Sequence, residues 1–344
     1  MIWLRLARGG PPMRAAPHST AGERETSMQL AASETQRGIL PQAGGKPALS
    51  PLARRRILED WAFIFPQFFI FILLTIVPLI VAIPILFTDM SQFNDPEINQ
   101  VGWRNFTAVF TDRGVQEDYL PALQRTIIFV ILNYTTVYIF GLALALLMYE
   151  IGFRGGFFTV IYLPLMVSGL AVGYMAAMLF AKETGSANLL LMKLGLLKEP
   201  INIYTATGTA FLLPLMVGWR YAGYNMAIFL SGLLSIPKET IESAVVDGAS
   251  YWQRLTRIYF PQMWPSFILA TTMCLIGSWA VFDELVALGA LYVNPNAKLL
   301  SILFFTYGFQ IERLAMGMTL ALETFLPLVL VGVGLQRLQR KLQY

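Results

Sequence analysis

Trp61–Thr88 reads WAFIFPQFFIFILLTIVPLIVAIPILFT, 28 consecutive residues without a charge. An α-helix rises about 1.5 Å per residue, so about 20 apolar residues cross a hydrocarbon core of about 30 Å. The run is long enough to span a bilayer. It is not alone: Thr126–Tyr149, Gly155–Ala181 and Ile258–Phe282 are also free of charge over 24, 27 and 25 residues. Two more apolar segments carry a single charge near the middle, Arg220 in Thr205–Leu234 and Glu323 in Leu314–Leu335. The pattern predicts an all-α polytopic membrane protein with six spans, at about 63–87, 126–149, 156–181, 205–234, 263–288 and 314–336.

Composition agrees. Of 344 residues 56% are hydrophobic and only 13% charged, against about 25% charged in soluble domains. So little charge cannot cover a water-soluble fold of this size, which disfavours a soluble enzyme, a disordered chain or a nucleic-acid binder. The net charge of +4 belongs to the first sixty residues, which hold nine Lys/Arg against five Asp/Glu. From residue 61 onward there are sixteen of each. Residues 1–53, rich in Ala, Gly, Pro, Ser, Gln and Arg, are expected to be a disordered tail. They make a poor signal peptide, because no apolar run of about 7–15 residues follows the early arginines. The expected membrane-spanning body is 54–344. One cysteine, Cys274, and one histidine, His18, exclude an intrachain disulfide and the usual zinc motifs. No cofactor is expected.

Arg54, Arg55 and Arg56 precede the first span, while Asp89, Asp95 and Glu97 follow it. Basic residues favour the inner side, so both termini are placed in the cytoplasm. The loops between spans two and three and between four and five are then inside. Arg154, Lys238, Arg254 and Arg257 lie there, with Arg337, Arg340 and Lys341 in the C-terminal tail. Gly169 and Gly173 form a small-xxx-small pair on span three, expected to serve ordinary helix packing.

The inner loop 235–262 is the most informative stretch. Ser235–Pro265 reads SIPKETIESAVVDGASYWQRLTRIYFPQMWP. Pro237 suits a helix start. Lys238–Asp247 is expected to be helical, with Ile241, Ala244 and Val245 on one face. Gly248 supplies the C-terminal turn. A second short helix from Ser250 would bring Leu255, Ile258 and Tyr259 together before Pro261. The small residues Ser243, Ala244 and Ala249 would let a partner surface approach the backbone. A helix lying on the inner leaflet is the alternative, but such helices carry a Lys/Arg-rich polar face. Here Glu239, Glu242 and Asp247 stand against Lys238, which favours docking on a protein.

Glu242-Ser243-Ala244, Asp247-Gly248-Ala249, Ile258 and Pro261 resemble the signature loop of permease subunits in binding-protein-dependent ABC importers. That signature reads E-A-A, three residues to Gly, then I-x-x-P after nine more. Trp219-Arg220 with Gly223-Tyr224-Asn225-Met226, and Val281-Phe282-Asp283, look like the carbohydrate branch, in the maltose-type first-permease subfamily. The resemblance covers roughly 55–340. Ser243 departs from the commoner Ala, Ala290–Asn296 replaces a Gly-rich turn, and Glu323 stands where a small or apolar residue is usual.

The resemblance implies a type I importer permease in a bacterial or archaeal cell membrane, carrying a sugar or related polyol by alternating access. Its implied partners are two ATP-binding subunits, a second homologous permease and an extracytoplasmic solute-binding protein. Glu239, Glu242, Ser243, Ala244, Asp247, Gly248 and Ala249 would couple to the ATPase. Family members bind sugar midway along spans four and five, which here implies positions near Tyr221, Tyr224, Asn225, Ser278 and Trp279. Intramembrane charges are costly and mark functional or paired positions, so Arg220, Asp283, Glu284 and Glu323 join the path. Arg220 paired with Glu323 or Asp283 is the structural alternative.

The chain itself is expected to be no enzyme. It has no G-x-x-x-x-G-K-[ST] phosphate loop, since Gly44-Gly45-Lys46-Pro47 lacks the spacing and the hydroxyl. An ion-gradient-coupled secondary transporter is the alternative function. No internal repeat supports it, and that class does not require the signature loop.

Overall fold

The computed structural model describes residues 51–93, 95, 97–150 and 154–342. Nearly all of the predicted tail, 1–50, lies outside the described residues. Contacts divide the chain into a unit ending at Phe71 and a second running from Ile72 onward. The first contains helix α1, Pro51–Phe71, in which Phe65 and Phe69 stack one turn apart at 6.0 Å.

The second unit contains α2 (Val77–Ile85), α3 (Arg104–Thr111), α4 (Arg113–Glu150), α5 (Arg154–Tyr162), α6 (Gly169–Leu179) and α7 (Ser186–Lys193). The long α8 (Ala206–Leu234) follows, then α9 (Lys238–Val246), α10 (Tyr251–Arg254) and α11 (Phe260–Gln262). The last elements are α12 (Trp264–Trp279), α13 (Asp283–Ala287), α14 (Leu300–Phe305) and α15 (Leu314–Leu342). Among the described residues the extended pairing is a single isolated bridge, Thr88 with Gln100. The all-α expectation holds.

Among the described residues three helical stretches, Glu59–Ile85, Arg113–Glu150 and Leu314–Lys341, are long and apolar enough to cross a membrane. The expected third span is a pair of helices bent by 90°. Pro164 sits in a 3-10 turn, Val167 is extended, and Ser168 caps the new helix by accepting the Ala171 N–H. Proline removes a helical donor and the Ser cap restarts the ladder in a new direction. The expected fourth span is helical throughout as α8, whose side chains are buried over more than half its length. A helix walled in along much of its surface tolerates Asn, Thr and Arg on its buried side. The expected fifth span is interrupted between α12 and α13, where the freed Val281 carbonyl accepts the Ser301 hydroxyl.

Packing is arranged around α8 and α4, which run in contact along much of their length. One apolar cluster joins Phe129, Leu213, Val217, Leu285 and Ile302. A second joins Ala145, Met148, Met226, Phe229 and Leu233 to Leu255, Tyr259 and Met263, so the base of the inner loop is part of the core.

Gly169 and Gly173 do serve helix packing, and the surface they meet is α13. A Cβ at Gly173 would lie 2.5 Å from the Ala287 Cβ and 2.8 Å from the Glu284 carbonyl oxygen. Backbone cannot move aside as a flexible side chain can. Gly173→Ala is therefore expected to cost about 1–3 kcal/mol, read as a lower melting temperature in detergent. Gly155→Ala, at a position facing open space, should leave that temperature unchanged or raise it.

The segment after the first span is tied down by its own carboxylates. Asn99 donates its backbone N–H (2.7 Å) and its amide (3.0 Å) to Asp89. Ser91 donates its hydroxyl (2.6 Å) and N–H (3.0 Å) to Asp95. These donors hold both carboxyls below the usual range. The clip is thus fully formed above that range and loosens as pH falls through the lowered values.

Candidate functional site

Two places carry the residues singled out in the sequence. The first is a cavity of about 280 Å³ between α4, α8 and α12, lined by Asn133, Tyr221, Tyr224, Asn225, Cys274 and Ser278 among others. Small-ligand sites begin at about 300 Å³. Tyr221, Tyr224 and Asn225 reach it because they occupy one face of α8 at helical spacing, while Ser278 comes from the last turn of α12. Four residues expected to contact a polyhydroxylated ligand are thereby brought together.

The polar groups in the cavity are ordered. Asn133 donates its amide to the Ser278 hydroxyl at 2.8 Å, and Asn225 donates to the Tyr221 carbonyl at 2.9 Å. The Asn133 Oδ1 is buried and accepts no hydrogen bond among the described residues. Such an oxygen carries an unmet desolvation cost, which a ligand hydroxyl can relieve. Asn133 was missed in the sequence. Its one signal is an amide in the middle of the charge-free run 126–149.

The charged residues behave differently. Arg220 donates its Nε to the Val167 carbonyl at 3.0 Å and its Nη1 to Glu284 Oε1 at 2.5 Å. The two side chains are only 15% and 4% exposed. This corrects the expected partner, which is neither Glu323 nor Asp283. The reason is local. The helix restarts at Asp283 after the break, and the close approach of Gly169 to Asp283 and Glu284 turns the Glu284 carboxyl inward while Asp283 stays exposed. Arg220 thus joins α8, the bend before α6, and α13. Trp279 packs in a further apolar cluster with Leu303, Tyr307 and Leu320. Arg220, Trp279, Asp283, Glu284 and Glu323 are not among the residues lining the cavity.

The second place is the inner loop. Pro237 precedes α9, Asp247 ends it, and Gly248 has a φ of 78°, a left-handed conformation that glycine adopts without a Cβ penalty. Ser250 then opens α10 with a capping box, its hydroxyl accepting the Gln253 N–H while Gln253 accepts the Ser250 N–H. Glu239, Glu242, Ser243, Asp247 and Gly248 are exposed, and Ala244 and Ala249 are half-buried. Ile241 and Ala244 form the inward face, but Val245, expected with them, is 51% exposed, and Val246 and Trp252 are 86% and 70% exposed. The loop is a two-helix projection with its base in the core and with Val245, Val246 and Trp252 exposed beside Asp247.

No protein-family model matches the chain. AmyD of Thermoanaerobacterium thermosulfurigenes, described as a probable starch degradation products transport system permease protein, is 27% identical over 277 residues, 79% of this chain and 91% of AmyD. The arabinooligosaccharides transport system permease protein AraP of Halalkalibacterium halodurans is 27% identical over 282 residues, 81% of this chain and 86% of AraP. Among solved structures, a chain of a bacterial alginate ABC transporter in complex with an alginate-pentasaccharide-bound periplasmic protein superposes with a TM-score of 0.70 at 21% identity, covering 83% of this chain and 96% of that one. The fold is that of the multi-pass membrane subunits of ABC importers. Both relatives, AmyD and AraP, are described as permease proteins of sugar transport systems, and they are similar to this chain over about four fifths of its length. Permease subunits are not themselves enzymes, and nothing in these likenesses favours an ion-gradient-coupled carrier.

Proposed function

We propose that this permease carries a sugar or related polyol inward by alternating access, driven by ATP hydrolysis on separate subunits. The observation that carries the reading is the Lys238–Gln262 projection, with Val245, Val246 and Trp252 exposed and its base buried. Such a lever can pass movement at a docked ATPase directly to α4 and α8. Glu239, Glu242, Ser243, Ala244, Asp247, Gly248 and Ala249 would form the docking surface. The full assembly would comprise two ATP-binding subunits, a second homologous permease and an extracytoplasmic binding protein. Six spans at the predicted positions would place both termini in the cytoplasm. Each partner shifts the inward-open and outward-open populations only through its differential affinity for them.

The substrate would pass the cavity between α4, α8 and α12, where Tyr221 and Tyr224 offer ring faces and Asn133, Asn225 and Ser278 offer polar atoms. Arg220 and Glu284 would hold that path open rather than touch the solute. In proteoliposomes with the ATPase subunits, second permease and loaded binding protein, uptake is expected to require ATP. Uptake driven by an ion gradient without ATPase subunits would overturn the reading. Asn133→Leu is expected to raise the half-saturating solute concentration about tenfold, the worth of one buried hydrogen bond, with melting temperature near wild type. Unchanged uptake by that variant would move the path elsewhere.

A further inference from the structure

Glu323 lies on α15, partly buried, with no hydrogen bond or ion pair among the described residues. Its depth follows from helix geometry. It stands ten residues after Arg313 and fourteen before Arg337, about 15 Å and about 21 Å along the helix axis. That places it well inside the hydrocarbon core, where an unpartnered carboxylate is costly. The described residues of the second unit offer no relief. Arg220, the basic residue within the neighbouring spans, is already engaged by Glu284 and the Val167 carbonyl.

The surface that continues from Glu323 fits a second helix. Leu326, Pro327, Leu330 and Gly334 follow it at helical spacing on one stripe of α15. Leu326 and Leu330 are 52% and 73% exposed, and a Cβ at Gly334 would meet nothing. Lipid can cover Leu326 and Leu330 but supplies no donor at the depth of Glu323. A membrane helix can do both, packing closely over the proline and glycine while donating to the carboxylate.

Resting on the two-permease reading above, we infer that Glu323 and the stripe Leu326–Gly334 form the contact with the second permease. That subunit would present a basic or hydrogen-bond-donating side chain to the Glu323 carboxylate. The polar contact would fix the register of two otherwise apolar helices, as single buried polar residues do elsewhere.

The test uses the full chain co-expressed with its second permease and ATPase subunits. A photo-reactive residue at Leu330, which faces outward, is expected to cross-link to the second permease. Labelling of lipid alone overturns the inference. Glu323→Lys is expected to lower the second permease recovered with the chain about tenfold, and Glu323→Gln, which keeps an acceptor but loses the charge, to lower it less than Glu323→Lys does. A Glu323→Lys chain that holds its partner fully but no longer supports uptake also overturns it, and assigns Glu323 to the transport path. Failure of the wild-type chain to recover any second permease overturns the two-permease reading itself, an outcome distinct from loss confined to the Glu323 variants.

Discussion

Glu284→Gln is expected to destabilise the permease by about 3–5 kcal/mol, the usual cost of removing one member of a buried ion pair. The guanidinium of Arg220 would stay buried beside a neutral amide, still donating to Val167 but without its counter-charge. Arg220→Met should cost as much, since it strands the Glu284 carboxylate and also frees the Val167 carbonyl at the bend before α6. The double variant Arg220→Met/Glu284→Met leaves no unpaired charge and should recover much of the loss, because a buried pair and an apolar replacement are often close in energy. Melting in detergent of the two singles and the double measures the coupling. If Arg220 were instead a substrate contact, Arg220→Met would melt like the wild type and lose uptake alone.

The second large effect is expected at the tip of the inner loop. Val246 is 86% exposed at the end of α9, so Val246→Asp should change the stability of the chain by no more than about 0.5 kcal/mol. Against an ATPase groove, the same carboxylate would be desolvated without a partner, a penalty of about 2–5 kcal/mol. Binding would fall by more than about tenfold, and the ATPase subunits should be lost on co-purification. Were α9 to rest on the inner leaflet instead, Val246→Asp would leave the ATPase bound and release the loop from lipid. Gly248→Val gives a complementary readout. Open space surrounds Gly248, so the variant strains only the backbone and should weaken coupling without a steric clash.

The loop was legible in advance because its signals are local. Pro237 before the helix, Gly248 at its end and Ser250 at the start of the next each act within one turn, and each stands where the residue order placed it. The apolar runs were legible for a similar reason: bilayer thickness sets their length, and no tertiary contact is needed to read it. Even Gly169 and Gly173 were visible as a place of close approach. The surface that approaches, α13, was not, because it arrives from more than a hundred residues away.

The breaks in spans three and five were hidden by composition. Each break falls within a charge-free run, and the carbonyl freed there is met by a distant donor, the Val167 carbonyl by Arg220 Nε and the Val281 carbonyl by the Ser301 hydroxyl. The Arg220 partner was misassigned because Asp283, Glu284 and Glu323 are equally acidic in a sequence. Only the direction of the restarted α13 separates them, across 64 positions. Asn133 was overlooked because its importance comes from Ser278, 145 residues on.

Charge content and residue order, acting over a helical turn or the width of a bilayer, are enough to mark the long apolar helices and the two-helix loop. Which carboxylate meets Arg220, which amide faces the cavity and which side of α15 is left open depend on how the helices stack. Those pairings arise from packing between segments far apart in the chain, where a few ångströms decide whether a polar group is satisfied or waits for a partner.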